Sequence, residues 1–170
     1  PDEIRAQEFH LSPIGKLCNW IEQVVIVESP VHFDELARRM VEAAGITRVG
    51  PRIREILRHA VRHSDAGKKI KIKGQFLWTP SLDTPVVRNR SQLPASARKI
   101  SYIAVGEIGV ALEKVVKDAV AIQREDAVPF IARMFGYSRV TEEMKEEILK
   151  AIDISIENNL VQKEGELLKA

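Results

Sequence analysis

The chain has 170 residues and a mass of 19.1 kDa, enough for one ordinary domain or two small ones with a real core. With 45% hydrophobic and 29% charged residues, 9 Gly and 8 Pro, it reads as globular; collagen-like and disordered classes are excluded, and no run approaches the ~20 apolar residues of a membrane span. The net charge of +2 conceals an uneven distribution: residues 45–78 hold nine Lys/Arg against two Asp/Glu, whereas residues 1–44 hold four against eight and residues 107–170 nine against thirteen. A basic centre between acidic flanks speaks of partners and not of fold.

In chain order, residues 1–10 read as an N-terminal tail, with no signal or transit peptide before the first helix. An opening at Pro1 without methionine fits a segment of a longer protein. Ser12 and Pro13 suit an N-cap and N1 pair, after which Ile14, Leu17, Ile21, Val24 and Val25 recur at helical spacing until Ser29-Pro30. Cys18, the single cysteine, excludes an internal disulfide and is expected as a small buried apolar group in a reducing cytoplasm. Val31 to Phe33 predicts a short strand, and Asp34 to Ala44 a second helix with Leu36 and Met40 inward, ended by Gly45 in a left-handed conformation. Pro51 opens a third helix with Ile53, Ile56, Leu57, Ala60 and Val61 inward, and Gly67 marks its end. Lys69 to Lys73 and Gln75 to Trp78 alternate around Lys73-Gly74 as a hairpin would.

The scheme then repeats. Shifting the sequence by 91 residues aligns Val24–Trp78 with Val115–Lys169 without a gap, pairing Gly45 with Gly136, Arg48 with Arg139, Ala60 with Ala151 and Gly74 with Gly165. The second copy predicts helices over Glu107 to Val120, Glu125 to Phe135 and Thr141 to about Asn158, with Thr141 as N-cap, and a hairpin around Glu164-Gly165. The expected fold class is mainly α with small β-hairpins (α+β): a tandem winged helix, with module 1 over 11–80, a linker over 81–105 and module 2 over 106–170. Within that linker Ile100, Tyr102, Ile103 and Val105 either add a short strand or pack between the modules.

Candidate binding residues concentrate in module 1. Arg54, Arg58 and Arg62 recur at i, i+4, i+8 on the third helix, with Arg48 and Arg52 near its start, and Lys69, Lys71 and Lys73 line the hairpin. Guanidiniums pair bidentately with phosphates or with guanine edges, so DNA is the expected partner; the plainer alternative is an Arg-rich face that serves solubility or meets acidic protein. Module 2 carries Glu142, Glu143, Glu146 and Glu147 on the corresponding helix, which repel phosphate and point to protein contacts. The recurrence of Arg48 as Arg139 suggests a structural pairing at the turn before the third helix.

Catalytic signals are weak. His59 and His63 lack the Glu and third ligand of a zinc site, Glu143-Met144-Lys145 matches a nuclease element only superficially, and neither a Walker loop nor a dinucleotide turn is present. No enzymatic activity, cofactor or metal is expected. Trp20 and Trp78 read most simply as packing residues.

The strings Ser29-Pro30-Val31-His32, Glu35-Leu36-Ala37-Arg38-Arg39, Gly45 through Ile53 and Phe76-Leu77-Trp78-Thr79-Pro80, continued by Val86-Val87-Arg88, Arg98-Lys99-Ile100, Glu107-Ile108 and Gly136-Tyr137-Ser138-Arg139, resemble an uncharacterised domain at the C-terminus of large bacterial superfamily I DNA/RNA helicase-like proteins. The resemblance implies an accessory domain whose partners are the helicase and nuclease-like domains of a parent chain, and it transfers no catalytic residue. Val120-Ala121-Ile122 departs from it where a Gly is expected before the strand. The competing expectation is a protein-interaction or self-association scaffold; a transcriptional regulator ranks below both.

Overall fold

The computed structural model describes residues 12–169; the tail expected over 1–10 lies outside them. The chain divides into two compact units, Pro1–Leu82 and Asp83–Ala170, each with its own apolar core. Both are mainly helical with a small antiparallel sheet.

The first unit runs α1 (Ile14–Glu28), β1 (Val31–His32), α2 (Phe33–Ala43), α3 (Pro51–Ala66), β2 (Lys71–Lys73) and β3 (Phe76–Trp78). Helix α1 starts one residue later than expected, with Pro13 as N-cap and its carbonyl accepting from Lys16 and Leu17. Leu17, Ile21 and Val25 from α1, Leu36 and Met40 from α2, and Leu57, Ala60 and Val61 from α3 meet in the core. Cys18 is buried there, its Sγ 3.5 Å from the Ala60 carbonyl. Phe33, expected in the strand, is instead the first residue of α2, whose N-cap is the His32 Nδ1 accepting from the Asp34 N–H at 3.1 Å.

Strand order is β1-β3-β2, with Val31 opposite Leu77, Ile72 opposite Leu77 and Lys73 opposite Phe76. Period-two alternation therefore sets Val31, Ile72 and Leu77 on one sheet face and Lys71, Lys73, Phe76 and Trp78 on the other. The hairpin turn is Gly74-Gln75 and not Lys73-Gly74: Gly74 has φ 61° and takes the first central position, the type II′ pattern. Ser29 Oγ accepts from the Thr79 N–H at 2.8 Å and Thr79 Oγ1 donates to the Val25 carbonyl at 3.2 Å, tying the end of β3 to the end of α1.

The second unit repeats this order as α4 (Val105–Ala119), β4 (Ala121–Gln123), α5 (Arg124–Met134), α6 (Glu142–Glu157), β5 (Gln162–Glu164) and β6 (Leu167–Lys169), with sheet order β4-β6-β5. The helix ends match at the 91-residue offset. Gly45 and Gly136 (φ 69° and 90°), and Lys68 and Asn159 (φ 56° and 58°), each hold the left-handed position of a Schellman stop. The bonds Ile46 N–H to Val41 O, Tyr137 to Ala132, Lys69 to Ser64 and Leu160 to Ser155 close them at 2.8–3.1 Å. At the end of α3 the left-handed residue is thus Lys68, one beyond Gly67. Thr141 caps α6 as expected, its Oγ1 accepting from the Met144 N–H at 3.2 Å.

Residues 83–104 are built into the second unit. Ile100 and Ile103, in two short 3₁₀ turns' neighbourhood, enter its core. Arg90 is buried and grips the fully buried Glu107 with both terminal nitrogens at 2.8 and 2.7 Å, while the Arg88 N–H donates to the same carboxylate at 3.0 Å. The Arg90 N–H donates to the Phe135 carbonyl and the Tyr137 hydroxyl to the Arg98 carbonyl. This segment is a strap across α4 and α5, and no strand forms in it.

Candidate nucleic-acid interface

Helix α3 exists because an apolar stripe covers one side of it, and that stripe decides which arginines face outward. Arg52, Arg58 and Arg62 are exposed, with no side-chain hydrogen bond or ion pair among the described residues, and Glu55, His59 and His63 share their side of the helix. The guanidinium of Arg58 lies 5.3 Å from the centre of the Phe33 ring. Arg54 differs: it is half-buried, paired with Asp34 in the first turn of α2, and 5.8 Å from the same ring. The i, i+4, i+8 stripe is therefore two outward cations and one that the protein already neutralises.

The hairpin lysines are also partly engaged. Lys69 lies 3.4 Å from Glu22 of α1, Lys71 donates to the Pro80 carbonyl at 2.5 Å, and Lys73 sits over Trp78 at 4.3 Å. Lys71 and Lys73 face away from the side of the sheet that carries Ile72 and Leu77. Between that side and α3 lies a notch of about 130 Å³ lined by Phe33, Arg58, Val61, Arg62, Ile72 and Leu77, closed at the hairpin tip by Gly74 and Gln75. Arg48 is exposed near the start of α3, as is Arg139 near the start of α6, and among the described residues neither makes the side-chain pairing expected of the repeated position.

In the second unit Glu142, Glu143 and Glu146 are exposed on the first turns of α6, and Glu147 pairs with Lys150 at 2.8 Å. Glu143 also borders a concavity of about 440 Å³ with Arg98, Lys99 and Met144. These four glutamates fall at the repeat positions of Pro51, Arg52, Glu55 and Ile56, beside the Arg54/Arg58/Arg62 stripe and not on it. The stripe itself corresponds to Lys145, Leu149 and Asp153. There Arg124 forks onto Asp153 at 2.7 and 2.6 Å, donates to the Leu149 carbonyl at 3.3 Å, and holds the Asp153 carboxyl below its ordinary range.

Sequence reasoning missed Phe33, Asp34 and Ile72, which shape the basic face, because none is charged like the stripe or lies on its helix. The signal was present in the repeat: the offset that pairs the two turn glycines also pairs Phe33 with Arg124 and Arg62 with Asp153. Among the described residues no group of three or more His, Cys, Asp or Glu is placed to hold a metal ion, and no helix is long and apolar enough to cross a membrane.

No curated protein and no solved structure matches the chain. Residues 7–55, the stretch that carries α1, β1, α2 and the first turn of α3, match a family described as a protein of unknown function, DUF3320.

Proposed function

We propose that the chain is a tandem winged-helix module without catalysis of its own, in which the first unit binds nucleic acid and the second makes protein contacts. The observation that carries this reading is the set of outward arginines Arg52, Arg58 and Arg62 on α3, which make no ion pair among the described residues, in the same unit as a hairpin that carries Lys71 and Lys73. A helix followed by such a hairpin presents one face to a groove and a flank to the phosphates. Arg48 and Lys69 extend the positive surface, and Arg54 contributes once Asp34 releases it. The sequence resemblance supports an accessory role in a bacterial superfamily I helicase-related protein of the cytoplasm, where the helicase and nuclease-like domains are covalent neighbours.

Fluorescence anisotropy with duplex, forked and single-stranded DNA tests it. The triple variant Arg52→Ala/Arg58→Ala/Arg62→Ala weakens binding by about tenfold or more and flattens the plot of log affinity against log salt by about 0.9 per lost duplex phosphate contact. Arg54→Ala, whose partner is Asp34, has the smaller effect. An unchanged salt slope in the triple variant refutes the assignment.

A second reading, self-association, is favoured by the complementarity of the basic α3 face and the acidic first turns of α6. It requires sedimentation that depends on protein concentration without nucleic acid and is lost on Glu142→Lys/Glu146→Lys.

A further inference from the structure

The notch between α3 and the hairpin is apolar below and cationic above. Phe33, Val61 and Leu77 are buried and form its floor, Ile72 walls it on the edge strand, and Arg58 and Arg62 stand at its rim. Ile72 shares a sheet face with Val31 and Leu77, yet remains 38% exposed, so the core leaves this side chain open at the notch. The backbone around it is fixed: Asp65 Oδ1 accepts the Ile72 N–H at 3.1 Å and the Gln75 carbonyl accepts the Phe33 N–H at 2.9 Å.

The second unit supplies an internal comparison. At the 91-residue offset Phe33 becomes Arg124, Arg58 becomes Leu149, Arg62 becomes Asp153 and Ile72 becomes Lys163. Arg124 lies across this place, forked onto Asp153 and bonded to the Leu149 carbonyl. One copy of the fold therefore satisfies the position with its own ion pair. The other offers an apolar floor and two guanidiniums that meet no carboxylate among the described residues.

We propose that the notch of the first unit holds one unpaired base of a single-stranded nucleic acid, with Arg58 and Arg62 on the adjoining phosphates. This rests on the nucleic-acid reading of that unit. At about 130 Å³ the space is well below the ~300–1,000 Å³ of cofactor and drug-sized pockets, so a single ring is what it admits. Bases lie against apolar side chains and stack on guanidinium planes without regard to sequence; here the open surfaces are Ile72 and the Arg58 guanidinium, which itself rests on the buried Phe33 ring. A base in intact duplex reaches such a site only by leaving the stack, which disfavours duplex as the ligand. A purely acidic peptide such as oligoglutamate would meet the same arginines but would leave the floor unused.

The test is anisotropy of the full chain with fluorescein-labelled oligothymidylate of about 12 nucleotides, within the ~4–16-nucleotide footprint of small single-strand binders. The comparators are an abasic strand of the same length, a duplex of the same length, and an oligoglutamate competitor. The thymidylate strand binds about tenfold more tightly than the abasic strand, which carries the same phosphates. Phe33→Arg/Arg62→Asp reproduces the closing pair of the second unit and brings that ratio to about one, with the fold checked by circular dichroism. Ile72→Lys, a change at an exposed site that copies Lys163, keeps the test decisive if the double variant fails to fold: it tightens the abasic strand by charge and lowers the ratio. Equal binding of thymidylate and abasic strands, an unchanged ratio in Ile72→Lys, or competition by oligoglutamate as strong as by thymidylate overturns the notch while leaving phosphate binding by α3 intact. Failure of every oligonucleotide to bind at low salt overturns both readings.

Discussion

At the scale of single residues, two glycines of the same kind are held for different reasons. Gly45 and Gly136 occupy equivalent left-handed positions after α2 and α5, but a Cβ on Gly45 meets nothing within 4 Å, whereas one on Gly136 falls 2.5 Å from Asn89 Oδ1 and 2.6 Å from the Ser91 nitrogen. Gly45→Ala therefore incurs only the left-handed penalty, about 1 kcal/mol. Gly136→Ala adds a collision with the backbone of the strap and destabilises by about 3 kcal/mol or more, among the large single-residue effects. Urea denaturation of the two variants measures both; equal losses would mean that the strap yields without resistance. The turn at each glycine was legible in the sequence, since only the residue type is needed to see it. The second constraint on Gly136 was not, because Asn89 and Ser91 lie more than forty residues upstream and reach it only through tertiary packing. Arg54 illustrates the same blindness from the other side. Helical spacing places it correctly on a stripe with Arg58 and Arg62, but spacing within α3 says nothing of Asp34, which the first turn of α2 brings to it.

Between elements, the passage from first helix to first strand is where the two units part. In the first unit α1 ends at Glu28 and the chain enters β1 through a cis Ser29-Pro30 peptide. In the second unit the equivalent of Ser29 is Val120, which ends α4 at φ 66°, ψ −48° and is 80% exposed. A β-branched residue at positive φ is a strained choice, since Cβ crowds the carbonyl at a cost of ~1–2 kcal/mol. It lies in the Val120-Ala121-Ile122 string, where the sequence resemblance leads one to expect a Gly before the strand. Val120→Gly relieves that strain, and after ~0.4–1 kcal/mol is returned to the more flexible unfolded chain the variant is more stable by about 0.5–1 kcal/mol. A urea midpoint that moves down would show that Val120 is anchored by contacts that its exposure does not reveal. Helices and hairpins were otherwise readable to within a residue or two, because each depends on a periodicity that one stretch of sequence carries by itself. The hairpin turn slipped by one because a lone glycine marks a positive φ without saying which central position it fills. The notch was unreadable for a related reason: it needs Phe33 from the start of α2, Ile72 from β2 and two arginines from α3, and no single period links them.

Over the chain as a whole, the second compact unit begins at Asp83, ahead of its first helix. Pro, Ser and Arg between residues 81 and 105 read as a linker, and composition gave no warning of Arg90, which is 6% exposed. Two charged groups taken from water in this way contribute little net stability over an apolar pair, but breaking them strands a buried carboxylate at about 3–5 kcal/mol. Glu107 in α4 is 0% exposed, so its partner belongs to the folding unit. A fragment of residues 106–170, the boundary that the sequence suggests, loses Arg88 and Arg90 from that carboxylate and Ile100 and Ile103 from the core. A small domain has roughly 5–15 kcal/mol of stability in total, and these losses together consume it. Residues 83–170 are therefore expected to give a cooperative thermal transition by circular dichroism, and residues 106–170 to give none. A fragment from Gly106 that melted cooperatively at the same temperature would reduce residues 83–104 to a tether. If instead Glu107→Leu restores a transition to 106–170, the stranded carboxylate and not the missing isoleucines is the cause, which isolates the ion pair as the reason the strap cannot be cut away.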